Sequence, residues 1–343
     1  MTSTLPQLAP FEADPMRPED LAACRAALVV GSKSFATAAR ILPRRVRAPA
    51  TALYAFCRVA DDAVDTEADP KASVRRLRER LDAIYINKPI NHPADRAFAA
   101  VVAEYEMPKE LPGALIEGFE WDAEERRYDT LDALHAYCAR VAGTVGAMMA
   151  LLMGVRDGAR LARACDLGVA MQLTNIARDI GEDARNGRIY LPLDWMREAG
   201  IDPEAWQRNP SYTPALREIT HRMLANADML YARSEAGIAA LPSDCRSSIR
   251  AAGRIYAEIG RMVRAEGFDP VTKRAIVPKS RKLMLLANAM LPRLARTATL
   301  AEPPLDATAY LVRAVPNAIG GDSLGERIEW LIGVLSRVEG RAA

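Results

Sequence analysis

The chain has 343 residues, of which 50% are hydrophobic and 26% charged, a composition typical of a globular protein with a sizeable core. Its 46 Lys and Arg residues nearly balance 44 Asp and Glu residues, giving a formal net charge of +2. This balance argues against a nucleic-acid partner, because such proteins usually present a basic domain or stripe.

The N-terminal residues 1–20 contain prolines and acidic residues and lack the basic start and apolar centre of a secretory signal, so we expect a cytoplasmic protein. The longest apolar runs, 145–155 and 283–291, are shorter than the roughly 20 residues that span a bilayer. The five cysteines show no CxxC or Cys/His spacing, which favours buried thiols over a zinc site.

Helical periodicity dominates the chain, and strand-type alternation is nearly absent, so we predict an all-α fold. The predicted helices cover residues 18–40, 47–66, 71–86, 94–105, 109–123, 131–154, 158–182, 213–240, 246–266 and 280–297, with a last one at 322–338.

Only residues 183–213 and 298–321 resemble linkers, and neither has the character of a domain boundary. We therefore predict a single domain over residues 1–343, with a core at about 20–297 and a C-terminal extension at 298–343. The proline-containing stretch 183–213 is predicted to form a long loop beside a functional site.

The predicted helix at 47–66 has a polar stripe on an otherwise apolar surface. Tyr54, Arg58, Asp61 and Asp65 are spaced by four, three and four residues. Side chains at these spacings project from one face of an α-helix. Because the neighbouring positions are apolar, we predict that the helix is buried. Polar side chains in a buried helix indicate a functional role.

A second stripe of the same kind lies in the helix predicted at 158–182 and just beyond it. Here Gln172, Asn175, Asp179 and Asp183 follow spacings of three, four and four among apolar residues. The two stripes share the pattern Asp-x-x-x-Asp, and an arginine accompanies each pair, Arg58 and Arg178.

Carboxylates on one helical face repel each other, and burying them unpaired is costly, so they require cations. Carboxylate oxygens suit Mg²⁺, which usually binds one or two carboxylates together with substrate phosphates. The arginines suit diphosphate oxygens. A single Asp-x-x-x-Asp pair would be interpreted as a capped or solvated helix end. The presence of two such pairs, each with an arginine on an apolar helix, favours a metal and diphosphate site.

Four stretches resemble the squalene/phytoene synthase family: GSKSFATAARILP at 31–43, ALYAFCRVADDAVD at 52–65, YCARVAGTVGAMM at 137–149 and QLTNIARDIGEDARNGRIYLP at 172–192. The resemblance covers about residues 20–290, and the segments 95–102, 115–128 and 191–202 are most similar to its bacterial phytoene-forming members. It implies a single all-α isoprenoid-synthase (class I terpenoid synthase) helical bundle around a central cavity.

The same resemblance implies a site for Mg²⁺, with Mn²⁺ as a substitute, bridged by two substrate diphosphates. Its ligands would be Asp61 and Asp65 on one wall and Asp179, Asp183 and Asn175 on the opposite wall. The residues implied to contact diphosphate are Ser32, Lys33, Arg58, Arg178, Tyr256 and Arg274. Those implied to line the reaction chamber are Tyr54, Tyr137 and Gln172. Gly31 departs from squalene-type relatives, which often have His there, and 278–282 is a variant of the family sequence.

The implied activity is that of a transferase in carotenoid biosynthesis. Two geranylgeranyl diphosphates would condense head to head, through prephytoene diphosphate, to 15-cis-phytoene with loss of both diphosphates. No NADPH would be needed. The apolar wall that excludes water would include Val141, Val145, Met148, Met149 and Met171.

Two residue sets have alternative interpretations. Gly143, Thr144 and Gly146 either let an isoprenoid chain lie close to the backbone or allow tight helix packing. Tyr137 either assists the reaction, by stabilising a cation or removing a proton, or makes a structural hydroxyl contact.

Two other functions are compatible with the sequence. One is a presqualene diphosphate or squalene synthase that uses farnesyl diphosphate. The other is a non-catalytic assembly factor of the same fold, although such a protein is expected to have lost the aspartates that this chain retains. Because substrate and product carry long apolar chains, we also expect peripheral contact with the inner face of the cell membrane and a downstream phytoene desaturase as partner.

Overall fold

The computed structural model describes residues 16–31, 41–66, 69–290 and 297–316, and within these ranges all regular secondary structure is helical. The predicted all-α fold is therefore confirmed. In chain order the elements are α1 (Pro18–Gly31), α2 (Arg44–Thr66), α3 (Pro70–Tyr85), α4 (Pro93–Glu104), α5 (Glu110–Ala123), α6 (Leu131–Cys138), a π-helical turn (Ala139–Gly143), α7 (Thr144–Leu152), α8 (Gly158–Arg185), α9 (Leu193–Glu198), α10 (Pro203–Arg208), α11 (Pro214–Ala240), α12 (Ser243–Ala265), α13 (Lys279–Ala289), the 3₁₀ turns Thr297–Ala301 and Asp306–Thr308, and α14 (Ala309–Arg313).

Two sequence-based expectations need correction. The stretch 183–213, predicted as a loop, contains the short helices α9 and α10 after the end of α8. Trp195 and Trp206 bury these helices against the core around α8 and α11, and the Asp202 side chain accepts a hydrogen bond at the start of α10. Each helix has only six residues, too few for a periodic pattern to reveal it.

The helix predicted at 131–154 is also interrupted by the π-helical turn Ala139–Gly143. The predicted helix at 322–338 lies outside the described residues.

Helix α8 is the central element of the bundle. It has 28 residues and packs against the π-helical turn, α7, α11 and α12. Its start is defined by Asp157, whose side chain accepts a hydrogen bond from the backbone N–H of Arg160 at 3.0 Å. Helix α8 thus provides the long axis around which these neighbouring elements pack.

Glycines permit α8 and its neighbour to approach at backbone distance. A Cβ atom on Gly146 would lie 2.2 Å from the carbonyl oxygen of Ala164, and one on Gly168 would lie 2.3 Å from that of Ala142. No side chain fits at either place, so tight helix packing accounts for Gly146. A Cβ on Gly143 would lie in contact with Leu311, which is also packing against protein atoms.

None of the helices within the described ranges combines the length and the apolar character that crossing a membrane requires.

We expect Gly168→Ala to lower the free energy of unfolding by about 1–3 kcal/mol, because the new methyl group must push two backbones apart. The matched control is Gly113→Ala within α5, where no atom lies within 4 Å of the added Cβ. This control should be neutral or stabilising, since alanine favours the helix. Urea unfolding monitored by circular dichroism measures both, and equal stability of the two variants would contradict the packing argument.

Candidate active site

A cavity of about 260 Å³ lies inside the bundle. Its walls come from α1, the segment before α2, α2 itself, the π-helical turn, α7, α8, α11 and α12. The predicted site residues that line it are Tyr54, Val141, Val145, Gly146, Gln172, Asn175 and Tyr256, together with the predicted wall residues Met149 and Met171. The structure thus brings together residues that are separated by up to 202 positions in the sequence.

The cavity extends along α8. Lining residues on this helix run from Arg160 to Asn175, a span of about 22 Å at 1.5 Å rise per residue. Asp179 and Asp183 follow on the same helix, one and two turns beyond Asn175. We call the end of the cavity at Asn175 the acidic end and the end at Arg160 the far end.

The polar stripe of α2 points to the same end. Ala50 and Tyr54 line the cavity, and Arg58 and Asp61 follow one and two turns later on the helix. Tyr256 of α12 connects the two stripes, because it is electrostatically coupled both to Tyr54 of α2 and to Arg178 of α8. Burial raises the pKa of the Tyr256 hydroxyl, while Arg178 opposes that rise.

The acidic residues of α2 are paired with Arg58. The Nη1 atom of Arg58 lies 3.2 Å from an oxygen of Asp61, and its Nε atom lies 3.0 Å from an oxygen of Asp62. Asp62 was absent from the predicted site although it follows Asp61 directly. Asp65 lies on the last turn of α2, and its side chain is outside the described part of the structure, as are Ser32 and Lys33.

The acidic residues of α8 are held by two arginines. Arg178 makes two hydrogen bonds to the carboxylate of Asp179, which adjoins it in the sequence. Arg274 lies 3.6 Å from the same carboxylate and 2.7 Å from that of Glu182. An arginine from the distant loop after α12 therefore reaches the acidic end.

Gly181 explains how that loop reaches α8. A Cβ on Gly181 would lie 2.6 Å from the Cα atom of Val271, and the Gly181 N–H donates a 3.2 Å hydrogen bond to the carbonyl of Pro270. The loop therefore crosses α8 between Asp179 and Asp183, at the only α8 residue of that turn without a side chain.

Asp183 is a carboxylate of the acidic end whose ionisation is opposed by burial. Burial, with a further contribution from Asp179, raises the pKa of Asp183 to about 7, against the opposing charge of Arg188. Such a carboxylate is stabilised by a bound cation. Among the described side chains, no three Asp, Glu, His or Cys residues converge on one point.

Tyr137 does not line the cavity, which corrects its predicted place in the chamber. It is buried in a neighbouring cluster, stacked on Tyr190 at 5.1 Å between ring centroids. Its hydroxyl donates a 2.9 Å hydrogen bond to Asp122, and the Tyr190 hydroxyl donates a 2.7 Å bond to the other oxygen of Asp122. Of the alternative interpretations, the structure shows the hydroxyl contact. Met148 is likewise fully buried in the core rather than in the lining.

Sequence reasoning missed Asp122. It lies in the stretch 115–128 but belongs to neither acidic pair, and three glutamates share its helix, so its spacing gave no signal. Its charge contributes to the raised pKa of Asp183.

We expect Tyr137→Phe to reduce the free energy of unfolding by about 1–3 kcal/mol, because it removes a donor to a partly buried carboxylate. Turnover per folded molecule should stay within a few-fold of wild type. Tyr85→Phe is the control, since it removes a similar 2.9 Å hydroxyl bond, to the carbonyl of Met107, outside the cavity. A loss of turnover of a hundredfold or more in Tyr137→Phe alone would instead indicate direct participation in the reaction.

The geometry described above agrees with similarities to known proteins. The squalene/phytoene synthase family model matches residues 28–282. The phytoene synthase of Rhodobacter capsulatus is 52% identical over 333 residues, covering 94% of this chain and 96% of that protein. The 15-cis-phytoene synthase of Pantoea ananas is 37% identical over 273 residues, covering 76% of this chain and 88% of that protein.

Among solved structures, a dehydrosqualene synthase in complex with a ligand is similar with a TM-score of 0.71 and 32% identity, covering 79% of this chain and 95% of that one. Sequence and structure therefore agree over most of the chain, including both acidic helices. The chain belongs to the squalene/phytoene synthase family.

Proposed function

We propose that this chain is a 15-cis-phytoene synthase, a transferase that joins two molecules of geranylgeranyl diphosphate. The observation on which the proposal rests is one long cavity, apolar along most of its walls, with both acidic helix segments at the same end. The product is inferred from the relatives that are named phytoene synthases and that match the chain along most of its length.

Mg²⁺, or Mn²⁺ in its place, would be held by Asp61 and Asp65 from α2 and by Asn175, Asp179 and Asp183 from α8. The support for these ligands is their hard oxygen chemistry and their positions on α2 and α8, the helices whose residues Tyr54 and Asn175 line the cavity. When bound, the metal would neutralise the diphosphate groups of the substrates as they depart.

The arginines of the acidic end would bind the same diphosphates. Arg58, Arg178 and Arg274 each contact a carboxylate in the structure. A guanidinium fork binds two phosphate oxygens as readily as two carboxylate oxygens. Substrate binding would then exchange carboxylate partners for diphosphate oxygens, while the carboxylates bind metal.

The lining of the cavity provides the second requirement of the reaction, the exclusion of water. Loss of diphosphate leaves an allylic cation that water would quench. The double bond of the second substrate attacks this cation, and loss of a proton closes the cyclopropane ring of prephytoene diphosphate. A second ionisation, rearrangement and loss of a second proton then give phytoene. Val141, Val145, Met149 and Met171 provide apolar surface for these steps, while Tyr54, Gln172 and Asn175 are polar at the acidic end.

The test of substrate length uses purified protein with Mg²⁺ and either geranylgeranyl or farnesyl diphosphate, each with and without NADPH. We expect phytoene from the C20 substrate and no effect of NADPH on its yield. Products are identified by chromatography with mass spectrometry. Turnover of the C15 substrate alone would instead support a dehydrosqualene or squalene synthase, the kind of protein named among the similar structures.

We expect Asp61→Ala and Asp183→Ala each to lower turnover by about a hundredfold or more, the size of loss seen when charge stabilisation is removed from a transition state. Asp228→Ala is the matched control, because Asp228 pairs with Arg264 and does not line the cavity. Circular dichroism should show unchanged helicity in all three variants.

A second readout separates metal binding from catalysis. Calorimetry with inorganic diphosphate should detect binding that depends on Mg²⁺ in wild type and in Asp228→Ala, and not in Asp183→Ala. Wild-type turnover, or Mg²⁺-dependent diphosphate binding, in Asp183→Ala would refute the metal role of that residue.

A further inference from the structure

The far end of the cavity contains an arginine with no part in the proposed chemistry. Arg163 of α8 lines the cavity, yet its side chain has no solvent exposure. It lies twelve residues before Asn175, about 18 Å along the helix at 1.5 Å rise per residue. A buried guanidinium beside an apolar cavity is costly, so its contacts must account for it.

The Arg163 guanidinium is held by an ion pair with Asp166 and by hydrogen bonds to backbone carbonyls of the C-terminal segment. Nε lies 2.8 Å from a carboxylate oxygen of Asp166. Nη1 donates to the backbone carbonyls of Thr299 and Glu302, the latter at 3.0 Å, and Nη2 donates to that of Pro303 at 3.1 Å. Arg163 therefore joins the cavity wall to the C-terminal segment at residues 299–303.

A second arginine holds the same segment. Arg233 of α11 donates 3.0 Å and 2.7 Å hydrogen bonds to Asp166 and to the carbonyl of Pro303, and it pairs with the side chain of Glu302 at 3.2 Å. Burial lowers the pKa of Arg163 and raises that of Asp166, and each group opposes the shift of the other. Loss of one charged member would therefore leave the others buried without full charge compensation.

The C-terminal segment continues from this cluster to another cavity wall. Thr308 and Leu311 are fully buried, and both would contact a Cβ on Gly143 of the π-helical turn. That turn contributes Val141 and Ala142 to the cavity lining. The segment lies beyond residue 282, where the match to the family model ends.

Arg163 also closes the gap between α8 and α11. A Cβ on Gly237 would lie 2.3 Å from the Cβ of Arg163 and 3.1 Å from its Cγ. The aliphatic part of the arginine therefore packs directly against the α11 backbone at a position where Gly237 itself lines the cavity.

We propose that Arg163 is a specificity-determining residue that, by binding the carbonyls of residues 299–303, fixes the far end of the cavity and limits the length of isoprenoid chain that fits. The inference rests on the proposed function. The guanidinium forms an ion pair and binds three carbonyls. Its displacement by a longer isoprenoid chain would leave these buried polar groups without partners, which is costly. A neutral side chain at this position would make no such hydrogen bonds and could be displaced by a longer isoprenoid chain.

The test compares geranylgeranyl diphosphate with geranylfarnesyl diphosphate, which is longer by one isoprene unit, by the ratio of their kcat/KM values. In Arg163→Ala this C25 to C20 ratio should rise about tenfold or more, the order of discrimination that methylene groups produce in an apolar pocket. In Arg163→Met, which keeps the length and removes the hydrogen bonds, a rise of several-fold is expected.

Arg80→Met is the matched control. Arg80 pairs with fully buried Asp95 and lies outside the cavity lining, so the variant also loses a buried ion pair. All three variants should melt at lower temperature than wild type, but in Arg80→Met the C25 to C20 ratio should stay within twofold of wild type.

An unchanged ratio in folded Arg163→Met would overturn the inference and leave Arg163 with a structural role only. This variant decides the matter even if Arg163→Ala fails to fold, because Arg233 still pairs with Asp166 in it. Failure of the proposed function would be recognised separately, as absence of C20 turnover in wild type. The same ratio would then be measured between the substrate that wild type uses and the next longer one.

Discussion

The backbone contact between α8 and the segment formed by the π-helical turn and α7 determines the form of the site. Gly146 and Gly168 bring the two backbones to distances that exclude any side chain. Because the two backbones touch there, no side chains lie between them. Neighbouring residues such as Val145 and Met171 line the cavity instead. The wall is thereby rigid, since close-packed backbones have no alternative arrangement of similar energy.

The π-helical turn adds to the same effect. An extra residue in a helical turn changes the direction of the side chains that follow it, and such turns are frequent at functional sites. Here the turn comprises Ala139–Gly143, and its residues Val141 and Ala142 line the cavity. Its outer side is covered by Thr308 and Leu311, so the C-terminal segment supports a wall of the site from behind.

Charge is distributed unequally between the two ends of the cavity. At the acidic end, carboxylates are paired with arginines that are partly exposed and able to exchange partners. At the far end, Arg163 and Asp166 are fully buried and bound to backbone carbonyls. The first arrangement suits groups that must bind and release a charged ligand, and the second suits a boundary that must not move.

The sequence by itself determined the longer helices apart from the π-helical interruption, the polar stripes of α2 and α8 and, through resemblance, the family. A helical face depends only on residues three or four positions apart, so a local pattern is enough to reveal it. Tertiary structure decided which residues reach the cavity. Tyr137 belongs to a stretch that resembles the family, but its hydroxyl donates to Asp122, and Arg163 binds carbonyls 136 or more residues away. Such contacts depend on how distant helices pack, and no local pattern specifies them.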